Sequence, residues 1–121
     1  MADNLAYAGS VLRIEFAKLS DGSVPALDYL SAQKQQHQAR LFVLFKLLGD
    51  TGRIQNREHF KKLDEEFWEF KNFQIRMPCY FSPNRRAVVV ITHGFTKKTD
   101  SVDPKELRRA RSNIKAPKEG S

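Results

Sequence analysis

The chain has 121 residues, 40% of them apolar, enough for one modest two-layer core and too little for a pair of domains. Its net charge of +7 and pI near 9.8 favour a polyanionic partner, either nucleic acid or an anionic membrane surface. The single cysteine, Cys79, excludes an intrachain disulfide and a multi-cysteine zinc site and fits a reducing cytosol. Met1–Ser10 lacks the basic cluster and apolar run of a signal peptide. Leu41–Leu48, interrupted by Lys46, is far short of the roughly 20 residues of a membrane span. A soluble, cytoplasmic protein is therefore expected.

The first ten residues read as a flexible tail. Val11–Leu19 alternates, with Leu12, Ile14 and Phe16 on one face and Arg13 and Glu15 on the other, as in a half-buried strand. Ser20-Asp21-Gly22-Ser23 is turn chemistry, with Ser23 as N-cap and Pro25 in the first turn of a short helix through Leu27 and Leu30. A second helix places Leu41, Leu44, Phe45 and Leu48 on one stripe and ends at Gly49, giving a helical hairpin.

From Arg53 onward short aromatic and β-branched segments predict a sheet. Phe60–Leu63 and Phe67–Lys71 flank Asp64-Glu65-Glu66. Phe73–Phe81 reads as a longer strand, Ser82-Pro83-Asn84 as a turn and Ala87–Thr92 as the central strand. Val88-Val89-Val90-Ile91 is apolar throughout, as in a strand covered on both faces, although periodicity alone does not separate it from a buried helical turn. Asp103-Pro104-Lys105-Glu106 has the form of a helix start, with Asp103 as cap, and Leu107, Ala110 and Arg111 continue that helix into a frayed tail, Lys115–Ser121. The expected fold class is α+β: an N-terminal strand and helical hairpin packed on a small antiparallel sheet, with a C-terminal helix and the helices together on one face, all in one domain spanning residues 1–121.

Charge is uneven along the chain. Residues 1–35 carry three basic and four acidic side chains, net −1, and residues 93–121 carry eight basic and four acidic, net +4, so the C-terminal part is where a polyanion docks. In Phe73–Phe81, alternation sets Phe73, Ile75, Met77, Cys79 and Phe81 toward the core and leaves Gln74, Arg76, Pro78 and Tyr80 on the open face. Arg76 and Tyr80 then suit one phosphate and one stacked base, while an ordinary solvated strand residue is the competing account of Arg76. Pro78 signals a bulge or an edge position. Lys71 shares that polar face. Glu69 is either a holder of Lys71 or Arg76 or one half of an ordinary cross-strand ion pair, and Lys61 and Lys62 either contact phosphate or merely solubilise a hairpin. His93 follows the apolar strand beside Val89 and Ile91 and has the chemistry of an acid or base; a histidine so placed is also often structural. Lys97 and Lys98 carry charge suited to stabilising a phosphorane. No zinc spacing, phosphate-binding glycine loop or Gly-x-Ser-x-Gly turn is present, and no cofactor or metal is expected. RNA supplies its own nucleophile, the 2′-OH, so a cationic site suffices to cut it.

Leu63, Phe67-Trp68-Glu69-Phe70-Lys71, Arg76, Tyr80-Phe81, Val88-Val89-Val90-Ile91, His93-Gly94-Phe95-Thr96-Lys97-Lys98-Thr99 and Pro104-Lys105-Glu106 together resemble the phage-derived HigB branch of the RelE/ParE toxin superfamily. The likeness spans roughly Val11–Arg111, and its most specific part is Gly94-Phe95-Thr96-Lys97-Lys98-Thr99. It implies a RelE-like fold, a co-expressed antitoxin that is often a helix-turn-helix protein, and the ribosome and mRNA as partners. The implied activity is metal-independent, ribosome-dependent endoribonuclease action, an mRNA interferase that arrests translation. Carried over by position, Lys71, Arg76, His93 and Tyr80 are the catalytic candidates, and Lys61, Lys62, Lys97, Lys98 and Arg108 the RNA contacts. Three departures stand out: Glu69-Phe70-Lys71 where the family usually has Glu-Leu-Arg, Pro78 within the strand, and a longer spacer between Thr99 and Pro104. Lysine does not reproduce arginine's bidentate phosphate contact. The same fold also serves ParE-like gyrase poisons and non-catalytic relatives that bind antitoxin, and these stay as alternatives.

Overall fold

The computed structural model describes residues 4–98 and 104–114. In chain order it has β1 (Leu5–Ala8), β2 (Arg13–Phe16), α1 (Pro25–Ser31), α2 (Gln35–Thr51), β3 (Phe60–Lys62), β4 (Trp68–Asn72), β5 (Ile75–Phe81), β6 (Val88–Ile91), β7 (Phe95–Thr96) and α3 (Pro104–Ile114). The strands form one sheet in the order β1-β2-β6-β5-β4-β3, with β7 on β5, so the fold is α+β as expected. Pairing is antiparallel except between β2 and β6, which run parallel because the α1–α2 hairpin and the β3–β5 meander separate them in sequence. β6 lies in the interior of the sheet, as its continuous apolar run requires.

α1 and α2 cover one face. Ala26, Leu30, Leu41, Leu44, Phe45 and Leu48 meet Ile14, Phe16, Phe70, Met77, Cys79, Val89 and Ile91 there, and the ring of Phe45 stands edge-on to Phe16 and Phe70. The expectation that the helices share one face fails for α3. Its Ala110 and Leu107 pack with Phe67, Tyr80, Val88 and Val90 on the opposite face, because residues of odd and even register in β5 and β6 are both apolar and each face needs a cover. Asn113 fastens this helix by donating from Nδ2 to the Thr92 carbonyl at 2.8 Å, and Arg111 reaches Asp64 at 2.6 Å and Glu66 at 3.3 Å.

Several boundaries differ from the periodicity. Leu5–Ala8, expected in a tail, forms edge strand β1 because the chain doubles back on β2, while Tyr7 lies close to Gly49 and its hydroxyl bonds Asp50 at 2.9 Å. Ser23 is not the N-cap of α1: its backbone N–H and hydroxyl both donate to Asp21 Oδ1, and Val24 takes the cap position. α2 does not end at Gly49. It continues to Thr51 and stops at Gly52, whose φ of 82° closes the helix with its N–H on the Leu48 carbonyl at 2.8 Å. Gly52→Ala is expected to cost about 1 kcal/mol, since an L side chain disfavours that conformation. A lowered urea midpoint with an unchanged slope checks it. Phe73 is not in β5, as shown below. Asp103, the expected cap of α3, and Lys115–Ser121 lie outside the described residues. Among the described residues, no helix is long and apolar enough to cross a membrane.

Candidate nucleic-acid interface

The register of the β3-β4-β5-β7 ladder determines which polar side chains share a face. Lys71 is paired with Arg76, Lys61 with Glu69, and Arg76 with Phe95 on its other side, so these residues lie on the sheet face opposite α1 and α2. Lys97 follows β7, and its N–H donates to the Gln74 carbonyl at 2.7 Å. The cations converge on one carboxylate. Glu69 is 4% exposed, with Arg76 Nε 3.8 Å from Oε2, and it feels the charges of Arg76, Lys61, Lys71 and Lys97. Burial pushes the Glu69 carboxyl above its ordinary range while these four cations pull it down. Burial likewise lowers the Lys71 ammonium, helped by repulsion from Arg76, Lys61 and Lys97 and opposed by Glu69.

Arg76 is 8% exposed and is not the solvated strand residue that composition allows. Its Nη1 donates to the carbonyls of Phe73 and Ile75, and among the described residues its Nε is buried without a hydrogen-bond partner. It thus fastens the β4–β5 turn and directs positive charge toward Lys71 and Glu69. One buried carboxylate against four cations leaves the cluster electropositive. Such a surface neutralises phosphate and stabilises charge developing on a phosphorane, with no atom of a metal needed for either.

Other expected site residues lie elsewhere. Tyr80 is 3% exposed and sits under α3 with Phe67 and Val90, not on an open face. Lys62 is paired with Trp68 and so points to the face opposite Lys61; Lys98 is exposed beyond β7, and Arg108 is exposed on α3. Neither Lys62, Lys98 nor Arg108 is among the cations that act on Glu69.

His93 is fully enclosed. Between the Cys79–Ile91 and Arg76–Phe95 pairs the β6–β7 segment advances four residues against three on β5, one residue extra. The ladder is interrupted beside Pro78, which has no N–H to donate and accepts at its carbonyl from the Thr92 N–H at 2.8 Å. This irregularity takes His93 out of register with Val89 and Ile91 and carries it to α3. Its Nε2 meets Glu106 Oε1 at 3.0 Å, and its Nδ1 meets the Thr92 hydroxyl at 3.0 Å. Burial, reinforced by the charge of Arg109 and opposed by Glu106, lowers its pKa to about 4. A neutral imidazole that donates from Nε2 to Glu106 and accepts from Thr92 satisfies all three groups. His93 in this position ties α3 to the sheet. Gly94 is fixed by the same junction, since a Cβ there would lie 2.3 Å from the ring of Tyr29, whose hydroxyl is 2.8 Å from Thr96 Oγ1.

Sequence reasoning missed the burial of Glu69 and the roles of Glu106 and Arg109. The signal for Glu106 was present as a helix-start glutamate, but its partner was thirteen residues earlier in the chain. Among the described residues, no group of three or more His, Cys, Asp or Glu is placed to hold a metal ion.

The family model for phage-derived protein Gp49-like (DUF891) matches residues 28–115, a stretch from α1 through α3 that contains every cation of the cluster. No curated protein matches the chain.

Proposed function

The chain belongs to the phage-derived Gp49-like family, which is associated with RelE-type, toxin-like proteins, and from that premise we propose that it is the toxin of a toxin–antitoxin pair, a HigB-type mRNA interferase. The observation that carries this reading is the convergence of Lys61, Lys71, Arg76 and Lys97 on one sheet face. In the proposed reaction the 2′-oxygen of ribosome-bound mRNA attacks the adjacent phosphorus. Its proton passes to solvent, the P–O5′ bond breaks, and the 5′-oxygen takes up a proton. The cluster's part is to hold the phosphate in line and neutralise its growing charge, with Glu69 positioning Arg76. A helix-turn-helix antitoxin and a cytoplasmic setting belong to the same proposal.

Primer extension on programmed ribosomes tests it. Cleavage within the A-site codon is expected with the wild-type protein. The reading is abandoned if mRNA stays intact while Arg76→Ala and wild type are equally toxic in cells. A second reading has one observation in its favour: with His93 and Tyr80 enclosed, neither is exposed to serve as a proton-transfer group. That suits a ParE-like gyrase poison or a non-catalytic antitoxin binder. Loss of DNA supercoiling without cut transcripts identifies the first, and absence of growth arrest the second.

A further inference from the structure

The β4–β5 turn is built at a cost that its function would have to explain. Asn72 and Ile75 are paired, so Phe73 and Gln74 form a two-residue loop, and Phe73 has a φ of 54°. That first loop position belongs to glycine in tight hairpins, and a bulky side chain is strained there. Phe73 is moreover 77% exposed, so no core burial offsets the strain. Strain of this kind persists where the surroundings enforce it, and such positions cluster at binding sites.

Three features show what the ring faces. His37 of α2 stands edge-on to it, with ring centroids 5.5 Å apart at 82°, and His37 Nδ1 is 3.1 Å from the Asn72 side-chain amide. The imidazole wall is thus held by the residue that follows Lys71. Phe73 and His37 border an open groove of about 380 Å³ completed by Gln36, Ala39, Arg40 and Val43. Among the described residues, the lining contains an amide and a guanidinium and no carboxylate. Finally, Arg76 of the cation cluster donates to the Phe73 carbonyl, so the aromatic platform and the phosphate-binding face are joined through one side chain.

We propose that Phe73, with His37, Gln36 and Arg40, is a stacking site for a nucleobase of single-stranded RNA whose backbone lies on the Lys71–Arg76 cluster. The inference rests on the RNA-binding reading and names its base subsite. An aromatic face beside an arginine and an amide is the composition by which unpaired bases are held, and a ring accepts any base, so the site confers affinity for unpaired RNA with little sequence preference. The absence of acidic side chains from the groove and the net charge of +7 favour an anionic strand over an apolar protein helix, although Val43 and Leu47 are also exposed on α2.

The test compares fluorescence anisotropy titrations of a labelled single-stranded RNA oligonucleotide with those of an oligomer of equal length made of abasic riboses. Wild type is expected to prefer the base-bearing strand by about 10-fold. Phe73→Gly, which removes the ring and suits the positive φ, should bring the two affinities within about twofold of each other while leaving the melting temperature equal or higher. Phe73→Trp should keep the preference. Lys71→Ala should weaken both oligomers alike. If Phe73→Gly retains the wild-type preference, the stacking site is overturned and the RNA reading stands. If wild type binds neither oligomer, the stacking site is overturned, while cleavage on the ribosome is decided separately by primer extension. If Phe73→Gly instead dissolves self-association seen by sedimentation and leaves the preference unaltered, the face is a contact between copies of the chain and the inference is overturned.

Discussion

Lys71→Ala is expected to slow mRNA cleavage on programmed ribosomes by about 100- to 1,000-fold, the effect of deleting one preorganised charge at a reacting phosphate. The ammonium is half-buried and, among the described residues, makes one long 3.5 Å contact, to the Arg57 carbonyl, so its removal disturbs the fold less than that of Arg76. Arg76 is a poorer probe because its guanidinium also holds the β4–β5 turn. Lys71→Arg sharpens the experiment. If Lys71 acts through charge, arginine restores cleavage to within about 10-fold of wild type, because a guanidinium supplies equal charge at a phosphate. Were Lys71 required to release a proton, arginine would be as inactive as alanine, since it stays protonated. Lys62→Ala and Lys98→Ala serve as contrasts. Both lysines lie outside the group acting on Glu69, and each change should alter single-turnover rates by no more than a few fold. Equal losses at Lys62, Lys98 and Lys71 would mean that net charge, rather than the register of the sheet, drives the activity.

Stability is expected to fall as pH drops from about 6.5 to about 4, and His93 is the reason. The folded protein holds this imidazole neutral, with its pKa lowered from 6.5 to about 4 by burial and by Arg109. Between those values the unfolded chain binds a proton that the folded chain does not, so acidification favours unfolding. The stabilisation is complete above about 6.5 and gone by about 4, with an upper bound of about 3 kcal/mol. Other groups act across or beyond this range. Glu69, whose carboxyl is raised by burial, opposes the trend just above the ordinary carboxylate range, while Glu15 and Asp64, both lowered overall, add to acid sensitivity below it. The difference between wild type and His93→Gln isolates the histidine. Glutamine retains an N–H for Glu106 and does not titrate, so its urea midpoint should be flatter between pH 6.5 and pH 4. Parallel curves for the two proteins would show that His93 is not held neutral. His93→Ala at neutral pH should cost about 2–4 kcal/mol, because it leaves Glu106 unpaired beside a cavity.

The site was legible in part from alternation. Lys71 and Arg76 were expected on one face, and the register pairs them directly, because period-two patterning survives wherever the ladder is regular. The same logic failed at Phe73, and at Tyr80 it gave the right face but not its burial. Phe73 looked like the first core residue of β5, yet a two-residue turn needed that position and left the ring outside the core. Tyr80 was correctly placed on the face of Arg76, but α3 covers that end of the face and leaves the Lys71 end to the cations.

The sequence by itself determined the α+β class, the interior position of β6, the helical hairpin, the net positive charge and the membership of residues 28–115 in a phage-derived family. The class, the strand, the hairpin and the charge follow from composition or from patterns confined to one or two elements, and the family from residues ordered along most of the chain. Only the tertiary structure decided which of the two sheet faces α3 would cover, that one extra residue beside Pro78 would turn His93 toward Glu106, and that Glu69 would be buried among four cations. These depend on contacts between segments distant in the chain, where burial rather than local pattern sets a side chain's partners and its charge.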